Sequence, residues 1–437
     1  MTKIRKAAAL AGLLLLCGCS DGIRTGVSGS SSAPPVEESS LSSAFDIPDV
    51  PSNAESPSLT FLGTGEPRAA AVESYAETAG ISPEGAVTVM SVADAMYESR
   101  LSELISSDES PDLTEKRENT FPLLMSRNVY EDLTPFIDAA APQWEGFSDY
   151  IGHYSLKGAH YFYPTAVKIA PELLVYDKMR CVQAGTPDPE RLWEKGEWTL
   201  DAFIGYYDAI NAVTGLDGCI YNGSIAENIL AMTGRAFIER DGDGKFTSAL
   251  GTENYLTMRE FFTARRCDQS FDEPIALLQS FSAFMCADDA FLGQLRNTSL
   301  HLGIVPFPKL DGDGEYYVRA VSEGYLVPKG AKNVKNAASF INCSRIAETS
   351  EDGAKERRRE LKKLGLLQSD VEWIEQIRGY EGFTPVLDEG LCLGSDANAV
   401  LERIFADAEY LVFSDYEEPS LDFSAIDSDL ERINSML

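Results

Sequence analysis

The stretch 152–207 constrains the fold more than any other part of the chain. Large side chains from His160 to Tyr163 follow a pattern typical of a strand, and Pro164 ends it because proline cannot donate to a sheet ladder. A second apolar run, 173–176, predicts another strand. The stretch therefore favours an α/β architecture, provided that a helix follows.

That helix is predicted from Thr199, a residue type that commonly caps helix N-termini. Trp198 precedes the cap and Phe203 lies at the fourth helical position, which is the spacing of a hydrophobic staple. Strands and helices also alternate between residues 59 and 105. Such alternation is typical of a lobe built on a mostly parallel sheet.

Several segments resemble the extracellular solute-binding proteins of ABC importers (family 1, the sugar-binding type that includes maltose-binding protein). The matching segments are Gly-Ala-His-Tyr-Phe-Tyr-Pro-Thr-Ala-Val at 158–167, Leu-Leu-Val-Tyr-Asp-Lys at 173–178, 192–203, 302–308 and 320–328. The resemblance implies an α/β fold with two lobes (the type II periplasmic-binding-protein-like fold). Each lobe would be a mixed, mostly parallel sheet flanked by helices, joined to the other by hinge strands.

The resemblance also implies where the chain crosses between the lobes. The first crossing is expected near Tyr163, and two later ones at 302–308 and 320–328. We therefore expect 58–163 and 302–324 to form the first lobe, and 164–301 and 325–437 to form the second.

Residues 1–19 are predicted to be a signal peptide. A basic start precedes an apolar run that is too short to span a bilayer as a mature helix. The run ends in Leu16-Cys17-Gly18-Cys19, which resembles a bacterial lipobox, and this predicts lipidation of Cys19. An ordinary secretory signal is the alternative. Residues 20–57 are rich in Ser, Gly and Pro and predict a flexible tether.

The charge and the cysteine content exclude several classes of partner and site. The net charge is −32, from 37 basic and 69 acidic residues, which argues against nucleic acid or anionic lipid as a partner of the folded body. The cysteines outside the signal are scattered, so buried free thiols are favoured over disulfides and no zinc or redox motif is predicted. The three histidines do not have metal-ligand spacing, and no metal or other cofactor is expected.

Two acidic residues are candidate ligand contacts in the first lobe. Glu66 belongs to a glycine loop between a strand and a helix, where a small ligand can meet a helix N-terminus; a tight turn is the alternative. Glu115 follows Pro111-Asp112-Leu113, which resembles a family segment whose trailing loop enters the ligand cleft. Charges in that loop could also be solvated.

Further candidates are implied by the resemblance in the second lobe. Asn222, Ser224 and Glu227 follow a predicted strand, although Ser224 could simply cap a helix. Asp288 follows another strand, and stabilisation of a helix N-terminus is its alternative role. The sequence 241–245 suggests a calcium loop, but Leu250 stands where an acidic ligand is required, so a hairpin turn is favoured.

The resemblance implies the remaining candidates. Tyr163 would lie at the first crossing, and Ser322 and Glu323 at the floor of the cleft. In the later loop 379–385, Phe383 and Tyr380 would provide an aromatic wall or else belong to the core. The charged stretch 351–363 predicts a solvated helix rather than a docking surface.

The resemblance implies a lipid-anchored, monomeric binding protein on the outer face of the cell membrane. It would capture a carbohydrate in an interlobe cleft and deliver it to the transmembrane subunits of an ABC permease, without catalysis. A secreted glycoside hydrolase and a ligand-sensing lipoprotein without a transporter are the alternatives. Peptides and polyamines remain open as ligands.

Overall fold

The fold is described from a computed structural model that defines residues 57–215, 218–220, 225–241, 243–249, 267–268, 282–296, 300–389 and 424–437. The strands are β1 (Leu59–Gly63), β2 (Val87–Ser91), β3 (Leu113–Glu115), β4 (Ser155–Leu156), β5 (Ala159–His160), β6 (Ala166–Ile169), β7 (Leu173–Asp177), β8 (Gly218–Ile220), β9 (Ile238–Arg240), β10 (Phe246–Ser248), β11 (Cys267–Asp268), β12 (Ser282–Ala287), β13 (Leu302–Val305), β14 (Tyr316–Glu323), β15 (Tyr325–Leu326) and β16 (Phe383–Leu387).

The α-helices are α1 (Ala69–Ala79), α2 (Tyr97–Ser106), α3 (Leu123–Ser126), α4 (Ser148–His153), α5 (Lys178–Ala184), α6 (Pro189–Glu194), α7 (Leu200–Thr214), α8 (Ile225–Met232), α9 (Asp289–Leu295), α10 (Val334–Thr349), α11 (Glu351–Lys363), α12 (Gln368–Arg378) and α13 (Ser424–Met436). Within the described ranges, none of these helices is long and apolar enough to cross a membrane.

The first lobe is built on a sheet with the strand order β15-β3-β1-β2. β1 runs parallel to β2 and β3, and β15 runs antiparallel to β3. Successive strand residues face opposite sides of a sheet, so Phe61 packs with the α1 side and Leu62 with the α2 side. On the α1 side, Tyr75 packs edge-on against Phe340 of α10, with ring centroids 5.6 Å apart.

The second lobe is built on a sheet with the order β11-β8-β12-β7-β13. β8 is parallel to β11 and β12, whereas β7 is antiparallel to β12 and β13. Phe284 of β12 is fully buried and packs against Phe203 and Tyr206 of α7 at 4.8 and 4.6 Å. The predicted N-cap is confirmed, because the Ala202 amide donates to Thr199 Oγ1 at 3.2 Å.

A third sheet, with the order β16-β14-β6, connects the lobes. β14 runs antiparallel to β6 and parallel to β16. Gly324 then turns the chain into β15 of the first lobe. A Cβ on Gly324 would lie 2.9 Å from the ring of Phe162, so only glycine lets the two segments approach so closely.

Helix α11 bridges the two lobes. Its first turn follows α10 directly, while Leu361 near its end is buried with residues of α9 and α12. A Cβ on Gly293 of α9 would lie 1.9 Å from the carbonyl oxygen of Leu364, which shows how closely the end of α11 is held against the second lobe. The predicted helix at 351–363 is confirmed.

The sheet pairings differ from the predicted division of the chain. β13 pairs with β7 in the second lobe, although 302–324 was assigned to the first. β15 and α10 belong to the first lobe, although 325–437 was assigned to the second. A short buried run such as Leu302–Val305 shows that a strand exists but not which of two sheets it joins. The strand expected at 160–163 was also largely wrong, since β5 spans only Ala159–His160 and residues 161–163 are not in a strand.

Candidate ligand-binding site

A small cavity of about 240 Å³ lies where the carboxyl ends of β1 and β3 meet the start of α1. Its lining includes Glu66, Glu115 and Glu323, three of the residues predicted to contact ligand. The carboxyl ends of parallel strands share one edge of a sheet, which is why loops distant in sequence meet here. We call this cavity the small chamber.

Glu115 is held in a defined position within the small chamber. Its Oε1 accepts from the backbone N–H and the hydroxyl of Thr64, at 3.1 and 3.0 Å. Nη1 of Arg117 contacts the same oxygen at 3.1 Å. These contacts orient the carboxylate at the chamber wall, where it can accept from a ligand hydroxyl.

A larger cavity of about 710 Å³ adjoins the small chamber and is bounded by β6, α11 and α12. We call it the large chamber. Arg68, Glu323 and Glu348 line both chambers, so the two form one connected site between the lobes. The described lining of the large chamber alone carries six cations and five carboxylates, whereas the chain as a whole is strongly acidic.

Arg68 forms the partition between the chambers. Its Nη2 lies 3.0 Å from Glu323 Oε2 and its Nη1 lies 2.7 Å from Glu348 Oε1. Burial alone would lower the pKa of Arg68, but Glu348 and Glu323 outweigh it and raise that pKa, so the guanidinium stays charged. Nη1 of Arg357 on α11 also contacts Glu348, at 2.8 Å. This cluster joins the start of α1 to the hinge strand and the bridging helix.

A second contact ties α11 to the first lobe. The carboxylate of Glu356 accepts from the amides of Ala69 and Ala70, at 3.0 and 3.2 Å. These amides belong to the first turn of α1, where helices leave N–H groups unpaired and favour negative charge. The N-terminus of α1 is thus capped by a residue of the bridging helix.

The second lobe contributes Asp289 and Arg378 to the large chamber. Both carboxylate oxygens of Asp289 accept from Arg378, at 2.7 and 3.0 Å, and Lys168 of β6 lies 3.4 Å away. Burial alone would raise the pKa of Asp289, but Arg378 and Lys168 outweigh it and lower that pKa. Asp289 therefore remains an anion shared by two cations.

A buried network crosses the hinge beside the small chamber. Lys116, which follows β3, pairs at 2.6 Å with Glu389, which follows β16. The hydroxyl of Tyr154 contacts both Glu389 and Ser322 of β14. Burial alone would raise the pKa of Glu389, but the ammonium of Lys116 outweighs it, and that pKa falls to about 2. The network links the first lobe to the segment after the hinge sheet.

Three predicted contacts have other roles in the structure. Tyr163 is buried in the first-lobe core, where its hydroxyl donates to the Ile137 carbonyl at 3.3 Å. Asp288 caps α9 by accepting from the Phe291 amide at 2.8 Å, as its alternative role anticipated. Glu227 belongs to a buried ionic cluster with Arg319, described below, and lines neither chamber.

The predicted aromatic wall also lies elsewhere. Tyr380 packs against Trp193 at 5.5 Å and against Phe383 at 5.0 Å, around a separate cavity of about 200 Å³. The physical reason is that β16 sits at the far side of β14 from β6, the strand that lines the large chamber. Asn222, Ser224 and Cys19 lie outside the described residues.

The sequence reasoning missed most of the cations of the site. Arg68, Lys168, Arg345 and Arg378 were not among the predicted contacts, because none of them stands in a local pattern that marks a ligand contact. Asp289 stood next to a candidate, Asp288, and strand-then-helix patterning could not decide which of the two faces the cavity. Cys181, Cys286 and Cys343 are buried free thiols, as predicted for them. Among the described residues, no group of three or more potential ligands is arranged to hold a metal ion.

Comparison with known proteins identifies the fold. Scans of protein-family models and of curated proteins each found no match. An ABC substrate-binding protein of Listeria monocytogenes, solved with cycloalternan, aligns at a TM-score of 0.55 and 15% identity over 86% of this chain and 98% of its own. This chain has the two-lobe fold of ABC solute-binding proteins.

Other solved structures share the solute-binding-protein fold. A cyclo/maltodextrin-binding protein with maltotetraose aligns at a TM-score of 0.56 and 15% identity, over 88% of this chain and 98% of its own. UgpB of Mycobacterium tuberculosis, with glycerophosphocholine, aligns at 0.59 and 14%, over 86% and 98%. The predicted architecture is thereby confirmed, and the structures that share it were solved with ligands of more than one chemistry.

Proposed function

We propose that this chain is the substrate-binding component of an ABC importer and that it captures a carbohydrate in the two connected chambers. The observation that carries the proposal is the position of the chambers between the lobes, at the carboxyl ends of parallel strands, in a solute-binding-protein fold. Open α/β sheets bind ligands at such strand ends. The large chamber also has the volume of small-molecule sites, roughly 300–1,000 Å³.

The lining of the chambers suits a ligand with many hydroxyl groups. A hydroxyl both donates and accepts, and each arginine–carboxylate pair offers donors and acceptors side by side. Arg68 with Glu323 and Arg378 with Asp289 are such pairs. The partly exposed ring of Tyr325 in the small chamber provides apolar surface for the C–H faces of a sugar.

Ligand capture would operate through the hinge. A ligand that contacts both lobes stabilises the closed arrangement in proportion to its extra contacts there. The hinge sheet and the bridging helix are the described elements that connect the two lobes at the chambers, so they are the parts that would bend. The proposal requires no catalytic step.

Anchoring and delivery complete the proposal. The lipobox-like sequence that ends at Cys19 and the polar tether after it support a protein that is held to the outer face of the membrane by lipid. The proposal includes a monomeric state. From there, the closed protein would dock on the transmembrane subunits of its permease. Replacement of Cys19 by Ser should release the protein from the membrane fraction; retention of the variant there would contradict lipidation.

Thermal unfolding against a panel of mono- and oligosaccharides tests the carbohydrate function. Binding to the native state stabilises it by RT ln(1 + [L]/Kd), about 2.7 kcal/mol at a hundredfold excess over Kd. We expect one class of sugar to raise the melting temperature with no release of smaller sugars over time. Release of smaller sugars would favour the hydrolase alternative. If no sugar in the panel raised the melting temperature, carbohydrate would be rejected as the ligand. Glycerophosphocholine belongs in the panel because one protein of this fold was solved with it.

A further inference from the structure

The floor of the large chamber is the strand β6, which lies at the edge of the hinge sheet. The backbone amide of Ala170 donates to the carbonyl of Arg319 on the neighbouring strand β14, and the register pairs Lys168 with Val321. In an antiparallel ladder, alternate residues direct their N–H and C=O groups away from the partner strand. Val167 and Ile169 therefore direct theirs toward the open edge, and the described residues provide no partner for either N–H.

The charges around this open edge are unbalanced. Lys168 and Arg378 share one carboxylate, that of Asp289. Arg345 has none, because no carboxylate among the described residues lies within ion-pair distance of its guanidinium. Instead it donates to the carbonyls of Gln143 and Thr165, each at 3.0 Å, and lies 3.5 Å over the ring of Phe147.

The rest of the chamber wall carries no excess positive charge. Arg68 and Arg357 meet Glu323 and Glu348, and Arg358 pairs with Glu375 at 2.9 Å. Glu360 adds a fourth carboxylate to this part of the wall. The excess positive charge is thus confined to the end of the chamber beside β6. Thr165, which accepts from Arg345, is three residues from Lys168, or about 10 Å along an extended strand. The cations therefore flank the open edge rather than lie at one point.

We propose that the ligand is an acidic saccharide, bound along the open edge of β6 with its anionic group facing Lys168, Arg345 and Arg378. This inference rests on the proposed function and specifies its substrate class. The outward N–H and C=O groups of Val167 and Ile169 meet ring hydroxyls, and the unbalanced cations meet a carboxylate or a phosphate. Partial burial lowers the pKa of Arg345 to about 10, although Glu348 opposes the fall, and an anionic ligand would stabilise the charged guanidinium further.

Titration calorimetry on the full chain tests the proposal with matched ligand pairs. Digalacturonate is compared with galactobiose, and glucose 6-phosphate with glucose, while inorganic phosphate alone is the anion control. We expect at least one acidic member to bind ten times or more tighter than its neutral partner. This preference should shrink when NaCl is raised from about 50 to about 500 mM, since salt screens the charges. The two pairs also distinguish a carboxylate ligand from a phosphate ligand.

Variants connect the preference to β6. Lys168→Gln should reduce the acidic preference by about tenfold, and Lys168→Arg should retain most of it. Lys168 is a suitable site because its side chain is only partly buried on an edge strand, so its loss does not threaten the fold. Lys355→Gln is the matched control, because that residue lies on α11 outside the chamber lining and carries the same charge.

Each other outcome overturns the inference in its own way. If neutral and acidic partners bind equally, the acidic class is wrong while the carbohydrate function stands. If no saccharide binds, both proposals fail. If inorganic phosphate binds as tightly as the sugar acids, or if Lys168→Gln and Lys355→Gln behave alike, the edge of β6 does not recognise an acidic saccharide.

Discussion

The hinge strand β14 carries two ionic clusters whose surroundings differ. At one end, Glu323 faces the chambers with 43% of its side chain exposed and pairs with Arg68. Four residues earlier, Arg319 is 8% exposed and pairs with Glu172 at 2.8 Å and Asp388 at 3.0 Å. Residues four apart on a strand share a face, so the two clusters differ in burial rather than in orientation.

This difference in burial separates binding from stability. A solvent-reachable ion pair contributes little to folding and can exchange its partner for a ligand. A buried cluster is sensitive to the loss of any member, because a remaining charge is left without a partner. We therefore expect changes in the Arg319 cluster to alter the free energy of unfolding, and changes in the Arg68 cluster to alter affinity.

The largest expected effect is that of Arg319→Met. It would leave the carboxylates of Glu172 and Asp388 buried without their cation, at a cost of about 3–5 kcal/mol in the free energy of unfolding. Urea unfolding followed by circular dichroism measures this loss. Arg358→Met, in an exposed pair with Glu375, is the control and should cost less than about 1 kcal/mol. Equal losses in the two variants would contradict the expectation that the buried Arg319 cluster contributes more to stability than an exposed ion pair.

The next effect concerns pH and Glu227, which faces the same cluster from α8. Burial raises the pKa of Glu227 to about 7, although the cation of Arg319 opposes the rise; Asp388 and Glu172 add to it. The folded state therefore binds a proton more tightly than the unfolded chain. The protein should lose stability, on the order of 2 kcal/mol, as pH rises from about 4.5 to about 7.

Glu227→Gln tests this dependence, since it cannot ionise. The difference in unfolding free energy between the wild type and this variant should change in favour of the variant between pH 5 and pH 8. Glu389, with a pKa of about 2, titrates below this window and does not interfere. A difference that stays constant with pH would show that Glu227 keeps an ordinary pKa.

A smaller stability effect is expected for Arg68→Gln, at the chamber end of β14. The side chain of Arg68 is 29% exposed, so its loss should cost about 1 kcal/mol or less in unfolding free energy. Because Arg68 lines both chambers, the same change should weaken ligand binding by about tenfold. Calorimetry with a sugar that binds the wild type measures the second effect. An unchanged Kd would place the ligand away from the partition between the chambers.

The smallest effect on binding is expected at Asp288, beside the chamber residue Asp289. Asp288→Ala removes the N-cap of α9 and should cost about 1 kcal/mol in stability, with no change in Kd. Asp289→Asn should instead change Kd, since it frees Lys168 and Arg378 from their shared carboxylate. If the two variants affected binding equally, these neighbouring positions would not have distinct roles.

Local features of the fold were predictable because their causes are local. The N-cap at Thr199, the left-handed Gly80 after α1 and the helix 351–363 each follow from a few consecutive residues. The hairpin favoured over a calcium loop is also present, since β9 and β10 pair across the turn at Asp241. Membership of a sheet was less predictable, as β13 shows, because it depends on partners far along the chain.

The features of the candidate site also fall into two groups, those that depend on local sequence and those that depend on contacts between distant residues. By itself, the sequence determined the order of strands and helices, and it placed Glu66 and Glu115 at strand ends that an α/β lobe must bring together. Only the tertiary structure decided which charges meet: Arg68 and Glu323 are 255 residues apart, and Arg378 and Asp289 are 89 apart. The tertiary structure also decided that Tyr163 is buried in the core and that Glu323 is exposed to the chambers. The physical reason is that backbone preferences act over a few residues, whereas burial and ion pairing depend on the packing of the whole chain.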